Sequence, residues 1–255
     1  MDYQKEIEFA KSMAVDAGKI MKKYYRIDQG VEIKEDSTPV TLADIEINNL
    51  LIERVKNEFS DCGVLGEEES WNESREKLWV CDPIDGTPAF IYHIPTFMFS
   101  LALVVDGEPV LGIAFNATTG DTYHAMRGYG SFLNDKAINT SSREWGNEAR
   151  LAGSSDGAVD GLSVSVLKEQ GIKVINSFGA VFKGCLIAEG SLDGRVFVHN
   201  GAHDIAAVKL IIEEAGGKVT DIDGNEQRYD RKLNGALMSN GLIHDKLLEV
   251  AKEMK

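Results

Sequence analysis

The segment 82–87 (Asp-Pro-Ile-Asp-Gly-Thr) concentrates two carboxylates, a rigid proline, a glycine and a hydroxyl within six residues. Carboxylates three residues apart on a turn can converge on one hard cation. Without a cation, two such groups held close together would repel each other, and one would tend to stay protonated. The segment therefore predicts a divalent-metal site that orients and activates water. The alternative is an ordinary turn, but a turn does not require two acids and a threonine together.

The elements around this segment decide where its side chains lie. The preceding apolar run 78–81 predicts a buried strand that ends at Asp82, with the rest of the segment in a tight loop. Thr87 is followed by Pro88, which is typical of a helix with Thr87 at the N-cap. The amides of Gly86 and Thr87 would then face an anion, which the helix dipole favours; a plain cap is the alternative.

Three further acids lie where a predicted element meets a loop. Asp44 falls in the first turn of a helix that follows Thr41, Glu67 follows a short strand, and Asp204 begins a helix in the second half of the chain. Carboxylates at helix starts are favoured by the helix dipole, so Asp44 and Asp204 have a purely structural alternative as ordinary first-turn acids.

The pattern of elements changes near residue 147. Before it, two helices flank a polar loop or hairpin at 26–40, and a series of β-strands follows. After it, strands are predicted at 149–153, 172–176 and 194–198, alternating with helices at 160–169, 179–189 and 203–215. This order predicts an α+β, antiparallel-sheet half at 1–147 and an α/β half at 148–255.

The composition limits the classes of partner. Lys and Arg number 27 and Asp and Glu 41, a net charge of −14, which argues against binding to nucleic acid or to an anionic membrane. No run approaches the length of a membrane span, and the amphipathic N-terminus does not resemble a signal peptide. Cys62, Cys81 and Cys185 are far apart, so we expect free thiols and a cytoplasmic location.

The segment 82–87 resembles the signature of the lithium-sensitive inositol monophosphatase family, whose superfamily includes fructose-1,6-bisphosphatases, histidinol-phosphatases and phosphoadenosine phosphate phosphatases. Four further motifs resemble the family in its order along nearly the whole chain: 41–44, 66–68, 128–134 and 203–217. The resemblance implies a layered α-β-α-β-α sugar-phosphatase architecture, a homodimer and a phosphoric monoester hydrolase.

The resemblance also implies a set of metal ligands. Glu67, Asp82 and the carbonyl of Ile84 would bind a first Mg²⁺. Asp82, Asp85 and Asp204 would bind a second. Oxygen ligands suit Mg²⁺, which keeps several of its waters, and Mn²⁺ is a substitute of similar chemistry. Two or three ions per site are therefore expected.

The third ion and the attacking water involve a further group of residues, again by resemblance. A weaker ion would sit near Glu67, with Asp44 reached through water. The Thr87 hydroxyl, paired with Asp44, would orient and help to deprotonate the attacking water. Lys34 matches a family lysine near this water network, with a solvated surface lysine as the alternative. Inhibition by lithium is expected as well.

The substrate side follows the family less closely. Gly86, Thr87, Gly179 and Ala180 are the predicted contacts, although histidinol-phosphatase-like members carry an aspartate where Ala180 stands. The acid that grips inositol hydroxyls in animal enzymes has no clear match, so His199 and Asn200 are expected to face the substrate instead. His203 replaces the family's usual tryptophan before Asp204. A zinc site at the two histidines is an alternative, but Asn200 and Gly201 interrupt any single helix through them.

The sequence thus predicts an Mg²⁺-dependent phosphomonoesterase that hydrolyses a small polyol or sugar phosphate, either inositol monophosphate or fructose 1,6-bisphosphate. Histidinol phosphate and a 3′-phosphonucleotide are alternative substrates. A noncatalytic regulator that binds a phosphorylated ligand is an alternative of a different class, and the intact set of acids counts against it. Neither a nucleic acid nor a membrane is expected as a partner.

Overall fold

The computed structural model describes residues 3–27, 29–34, 38–146, 148–153, 164–177, 179–199 and 201–252. The helices are α1 Gln4–Tyr24, α2 Leu42–Glu58, α3 Thr87–Ile91, α4 Val164–Glu169, α5 Ala180–Ala188, α6 Ala202–Glu214 and α7 His244–Lys252. The strands are β1 Glu32–Ile33, β2 Pro39–Val40, β3 Gly63–Gly66, β4 Lys77–Asp85, β5 Met98–Val105, β6 Glu108–Phe115, β7 Thr122–Met126, β8 Gly130–Leu133, β9 Lys136–Ile138, β10 Arg150–Gly153, β11 Lys173–Asn176, β12 Gly194–Phe197, β13 Lys218–Thr220 and β14 Ala236–Ser239.

All strands except β1 and β2 belong to one of two sheets. The first runs β3-β4-β5-β6-β7-β8-β9 and is antiparallel apart from the parallel pair β3–β4. The second runs β11-β10-β12-β14-β13, with parallel pairing of β10 to both neighbours and antiparallel pairing beyond β12. A separate hairpin joins β1 to β2, as predicted for the loop 26–40.

The layers follow from which face each strand residue buries. Alternate residues of β4 and β5 point to opposite faces: Trp79 and Leu103 pack with α1 and α2, whereas Val80 and Ala102 pack with α5 and α6. The outer face of the second sheet packs against α4 and α7, and Leu247 of α7 is one of the buried residues in this contact. The order is therefore helices, sheet, helices, sheet, helices, which confirms the predicted α-β-α-β-α architecture.

Strand β4 departs from the sequence prediction. It does not end at Asp82 but continues to Asp85, so the expected tight loop is wrong. Asp82 pairs with Ser100 and Asp85 pairs with Met98, so β4 contains one residue more than β5 between these two pairs. This is a β-bulge, and a bulge tolerates Pro83, which has no N–H to offer a neighbouring strand.

Helix α2 begins as predicted, with a capping box between Thr41 and Asp44. The apolar residues Ile45, Leu50, Ile52 and Val55 predict one buried face of this helix, and the observed buried face differs from it. Ile47 and Leu51 are buried, whereas Ile45, which the pattern assigns to the core, is 40% exposed. The predicted helix 160–169 is seen as α4 over its second part, and 160–163 lie outside the described residues.

Glu214 joins the two sheets. From the end of α6, its two carboxylate oxygens accept hydrogen bonds from the amides of Gly128 (2.7 Å) and Gly130 (2.8 Å) in the β7–β8 turn. Two of the family-like motifs, 128–134 and 203–217, thus meet each other. The division into domains at residue 147 stays a prediction. Within the described residues, no helix has both the length and the apolar character that a membrane crossing requires.

Candidate active site

Three aspartates converge where β4 meets the starts of α5 and α6. Asp82, Asp85 and Asp204 each offer a carboxylate oxygen, and these oxygens lie within 4.8 Å of one another. In a regular strand, residues three apart point to opposite faces. The bulge adds the extra residue that turns the side chains of Asp82 and Asp85 to the same side. The local backbone irregularity is therefore what builds the cluster.

The electrostatics of this cluster are unfavourable for three negative charges. Burial, together with Glu67 and the neighbouring aspartates, raises the pKa of Asp82 well above its ordinary value. Burial raises the pKa of Asp85 to about 7, with a further contribution from Asp204. Burial and Glu67 likewise raise the pKa of Asp204 to about 7. Three carboxyl groups this close together can all stay ionised when a cation lies among them.

The donor set fits a hard divalent cation. The clustered ligands are oxygens alone, which Mg²⁺ prefers over nitrogen or sulfur. The Oδ1 atom of Asp82 is buried and has no hydrogen-bond partner among the described residues. A buried carboxylate oxygen without a partner is costly, and a metal ion would satisfy it. Neither His199 nor His203 belongs to this cluster, which speaks against the zinc alternative.

Asp85 also holds the start of α5 against β4. Its carboxylate accepts hydrogen bonds from the amides of Ala180 (2.7 Å) and Val181 (3.0 Å). The preceding residue must be glycine, because Gly179 has φ +79° and a Cβ there would lie 2.5 Å from Asp85 Oδ2. A single carboxylate from the first half therefore positions a helix of the second half.

Helix α3 starts differently from the prediction. Gly86, with φ 81° in the left-handed region, is the N-cap, and Thr87 is the first helical residue. The prediction of Thr87 as N-cap is wrong because the chain turns at the glycine, which tolerates this φ without strain. The Thr87 hydroxyl donates a hydrogen bond to the carbonyl of Ile84 at 3.2 Å.

Asp44 lies behind this turn with a different partner from the one expected. Its Oδ2 accepts hydrogen bonds from the Thr41 amide (2.8 Å) and hydroxyl (2.6 Å), and it is not hydrogen-bonded to Thr87. Its Oδ1 is buried without a partner among the described residues. Burial, opposed by the bonds from Thr41, raises the pKa of Asp44 to about 7.

Lys34 reaches the site from the β1–β2 hairpin. Its Nζ donates to Glu67 at 3.0 Å and to Glu68 at 2.7 Å, and its side chain is only 21% exposed. Partial burial lowers the pKa of Lys34, but the hydrogen bonds to the two glutamates outweigh it and raise the pKa above its ordinary value. The structure therefore describes a paired lysine and not a solvated surface one.

A cavity of about 540 Å³ opens over the aspartates. Its wall includes these predicted site residues: Lys34, Glu67, Asp82, Ile84, Asp85, Gly86, Thr87, Gly179, Ala180, His199 and Asp204. Asp44 is fully buried and is not part of the wall. Asn200 lies outside the described residues. The site thus gathers residues from both halves of the chain.

Two cationic residues of the wall were not predicted as site residues from the sequence. Lys183 on α5 and Arg195 on β12 line the cavity, although they are only 3% and 6% exposed. The Arg195 guanidinium lies 5.2 Å from the ring of Phe197 and donates to the carbonyl of Gly179 at 3.4 Å. The available signal was a basic residue inside an otherwise apolar helix or strand, since buried charges are rare without a role.

The two histidines sit at different depths. His203 Nε2 lies 3.5 Å from Asp204 Oδ2, and burial lowers the pKa of His203. His199 is exposed at the cavity mouth, with its ring 5.3 Å from that of Phe197. His203 therefore packs beside a candidate metal ligand, and His199 faces the space that a substrate would enter.

The layered fold and the oxygen-only aspartate cluster define a metal-dependent phosphatase, that is, a phosphoric monoester hydrolase. The chain belongs to the inositol monophosphatase family, whose profile matches residues 2–255. The resemblance carried by the sequence motifs is thereby confirmed.

Individual relatives differ in the substrate that their names give. A fructose-1,6-bisphosphatase/inositol-1-monophosphatase of Thermotoga maritima is 32% identical over 217 residues, covering 84% of this chain and 83% of the relative. A histidinol-phosphatase of Mycobacterium tuberculosis is 29% identical over 231 residues, covering 87% and 88%. The solved structure of an IMPase from Thermotoga maritima matches with a TM-score of 0.89 at 29% identity and covers 98% of both chains.

Proposed function

We propose that this protein is an Mg²⁺-dependent phosphomonoesterase that hydrolyses a small polyol or sugar phosphate by direct attack of water. The observation that carries the proposal is the convergence of Asp82, Asp85 and Asp204 beside Thr87 on the wall of one cavity. The cavity volume of about 540 Å³ falls in the range of small-molecule sites. Inositol monophosphate and fructose 1,6-bisphosphate are the proposed substrates.

The proposed Mg²⁺ ligands are the three clustered aspartates, the Glu67 carboxylate and the Ile84 carbonyl. Two ions would share this set, a weaker third would be held near Glu67, and Mn²⁺ would be able to replace Mg²⁺. A divalent cation held there would supply Lewis-acid stabilisation of the phosphate oxygens and a water of lowered pKa. The unpartnered Oδ1 of Asp82 supports this assignment.

The residues of the chain orient the water and receive its proton. The Thr87 hydroxyl uses its hydrogen on the Ile84 carbonyl, so its oxygen is left to accept a hydrogen bond from the attacking water. Asp44 has a second carboxylate oxygen without a partner among the described residues, and a chain of waters would carry the proton to it. Lys34 donates a hydrogen bond to Glu67 and orients its carboxylate.

The substrate contacts divide by chemistry. The amides of Gly86 and Thr87 face the phosphate. The Ala180 amide is already engaged by Asp85, so Ala180 offers its methyl group and Gly179 its carbonyl edge. His199 contacts the hydroxyl-bearing part of the substrate from the cavity mouth. Asn200 stays a predicted contact.

Further properties of the proposal come from the family. We include a homodimer, inhibition by lithium and a cytoplasmic location, together with the division of the chain into 1–147 and 148–255. Size-exclusion chromatography with light scattering tests the dimer. A series of LiCl concentrations in the phosphatase assay tests lithium inhibition.

The test is phosphate release with and without Mg²⁺, using inositol 1-phosphate, fructose 1,6-bisphosphate, histidinol phosphate and phosphoadenosine phosphate. Wild type should release phosphate only with the metal. Asp82→Asn should reduce kcat/KM by about 10³-fold or more, since it removes a shared ligand. The control Asp245→Asn changes an aspartate whose side chain is 93% exposed and should act like wild type. Full activity of Asp82→Asn would refute the metal assignment. Binding of these phosphate esters by wild type without any release of phosphate would favour the alternative of a noncatalytic regulator.

A further inference from the structure

Two cationic side chains lie on the wall of the cavity that the second half of the chain supplies. Lys183 is the fourth residue of α5, and Arg195 is the second residue of β12. Both line the cavity and both are more than nine-tenths buried. Moving a charged side chain out of water is costly, so two cations at one cavity wall call for an explanation.

Both residues are placed near the start of α5. A helical side chain leans toward the N-terminus of its helix, which directs Lys183 toward Gly179. Arg195 donates to the carbonyl of Gly179, and the face of Phe197 supports its guanidinium. The arginine is therefore held in place by a carbonyl and a ring, and the lysine points to the same region.

The mechanism proposed above gives Lys183 no task, and it gives Arg195 none beyond balancing charge, since the guanidinium acts electrostatically on Asp85 and Asp204. The aspartate cluster and Thr87 serve the reacting phosphate. Lys183 and Arg195 come from α5 and β12 and line the same cavity. Both also make further contacts inside the protein, so an entering anion would join interactions that already exist.

We propose that Lys183 and Arg195 form a subsite for a second anionic group of the substrate, beside the reacting phosphate. The inference rests on the proposed function and deepens it by naming the substrate class. Guanidinium and ammonium groups together suit a phosphate, because arginine offers a fork of donors and lysine a compact charge.

This subsite orders the four candidate substrates. Fructose 1,6-bisphosphate and a 3′,5′-bisphosphonucleotide carry a second phosphate and are favoured. Inositol monophosphate has only hydroxyl groups to offer there. Histidinol phosphate carries an amine, which is cationic at neutral pH and would be repelled by two like charges.

The experiment uses matched substrate pairs that differ only in the distal phosphate. One pair is fructose 1,6-bisphosphate with fructose 1-phosphate, and the other is adenosine 3′,5′-bisphosphate with adenosine 3′-phosphate. The quantity measured is the ratio of the two kcat/KM values within a pair, at saturating Mg²⁺. Because both substrates meet the same preparation, any misfolded fraction cancels from the ratio. The pair with the higher ratio identifies a sugar or a nucleotide substrate.

Wild type should prefer the bisphosphate of one pair by about 10- to 100-fold, and Lys183→Met and Arg195→Met should each bring that ratio close to equality. Lys183→Arg keeps the charge and should retain most of the preference. The matched control is Lys209→Met, which removes a lysine that is 4% exposed and pairs with Glu213 on α6, away from the cavity wall. It should leave the ratio unchanged.

The outcomes separate the two proposals. Hydrolysis of monophosphates and bisphosphates at equal rates by wild type would overturn the subsite and leave the phosphatase intact. An equal fall of both kcat/KM values in Lys183→Met would also overturn it, since the lysine would then serve the reacting phosphate. Absence of Mg²⁺-dependent hydrolysis of every ester would overturn the proposed function, and the subsite with it.

Discussion

The two walls of the cavity are built in opposite ways. The β4 wall takes Asp82, Asp85 and Thr87 from a single stretch of chain, and one β-bulge aims the two acids. The rest of the wall takes Lys183, Arg195 and Asp204 from three separate elements, α5, β12 and α6. The contrast teaches that one short segment supplies only part of the proposed chemistry, whereas the other proposed ligands and the residues proposed to select the substrate are dispersed along the chain.

The largest expected effect within this comparison, after loss of Asp82, is on the β4 wall. Thr87→Ala should lower kcat by about 10²- to 10⁴-fold, the usual range for loss of a proton-transfer group. The Mg²⁺ concentration for half-maximal activity should stay near that of wild type, because Thr87 serves the water and not the metal. Thr87→Ser keeps the hydroxyl and should recover most of the activity. Collapse of metal affinity with intact turnover at saturation would contradict this role.

The junction between the walls is tested by Gly179→Ala. The new Cβ meets Asp85 Oδ2 at 2.5 Å in a left-handed backbone, so we expect a loss of about 1–3 kcal/mol in the free energy of unfolding, measured in urea. Gly120→Ala is the matched control, since Gly120 has φ +83° with nothing within 4 Å. The difference between the two variants isolates the contact with Asp85, and equal losses would show that the backbone alone matters.

The halves are also joined away from the cavity, and there we expect an effect on stability but none on substrate preference. Glu214→Gln leaves one oxygen for two amides, those of Gly128 and Gly130, so the free energy of unfolding should fall by about 1–3 kcal/mol. The preference between the matched substrates should not change. Glu226→Gln, at a side chain that is 69% exposed, is the control. A changed substrate ratio would link this joint to the cavity.

Far from both walls, at His244, we expect an effect that appears only below neutral pH. Burial, aided by Lys218, lowers the pKa of His244 to about 4, below that of an unfolded histidine. The unfolded chain then binds more protons between pH 6.5 and 4, so this contribution to stability is present above pH 6.5 and is lost on acidification. We expect about 1–3 kcal/mol over that window, read as the difference in urea unfolding between wild type and His244→Gln at pH 7, 5.5 and 4.5. A difference that does not vary with pH would refute it.

The order and kind of the elements could be predicted from the sequence. The N-terminal helix, the helix after Thr41 and the alternation after residue 147 each rest on apolar periodicity, caps and glycines, which are local signals. The face of α2 was partly wrong, with Ile45 exposed, because periodicity does not say how far the neighbouring sheet extends. The continuation of β4 past Asp82 could not be predicted, because a β-bulge leaves no clear local signal in the sequence.

The residues of the candidate site show the same division between local sequence signals and tertiary packing. Its acids could be predicted because carboxylates in a tight segment are chemically conspicuous. The pairing of Thr87 with Ile84 and of Asp44 with Thr41 could not, since a hydroxyl or carboxylate has several partners within reach and packing selects one. Lys183 and Arg195 escaped notice because each stands alone among apolar residues.

By itself, the sequence determined which groups exist and which short segments concentrate them: the acids of 82–87, the capping box at Thr41 and the glycines that permit the turns at Gly86 and Gly179. The tertiary structure decided which groups share a space. It turned Asp82 and Asp85 to one side through a bulge, brought Asp204 to them across 119 residues of chain (204 minus 85), and placed Lys183 and Arg195 on the wall of the same cavity. A site built from neighbouring residues can be recognised in the local sequence. The approach of distant residues depends instead on how sheets and helices pack, and no local sequence pattern encodes that packing.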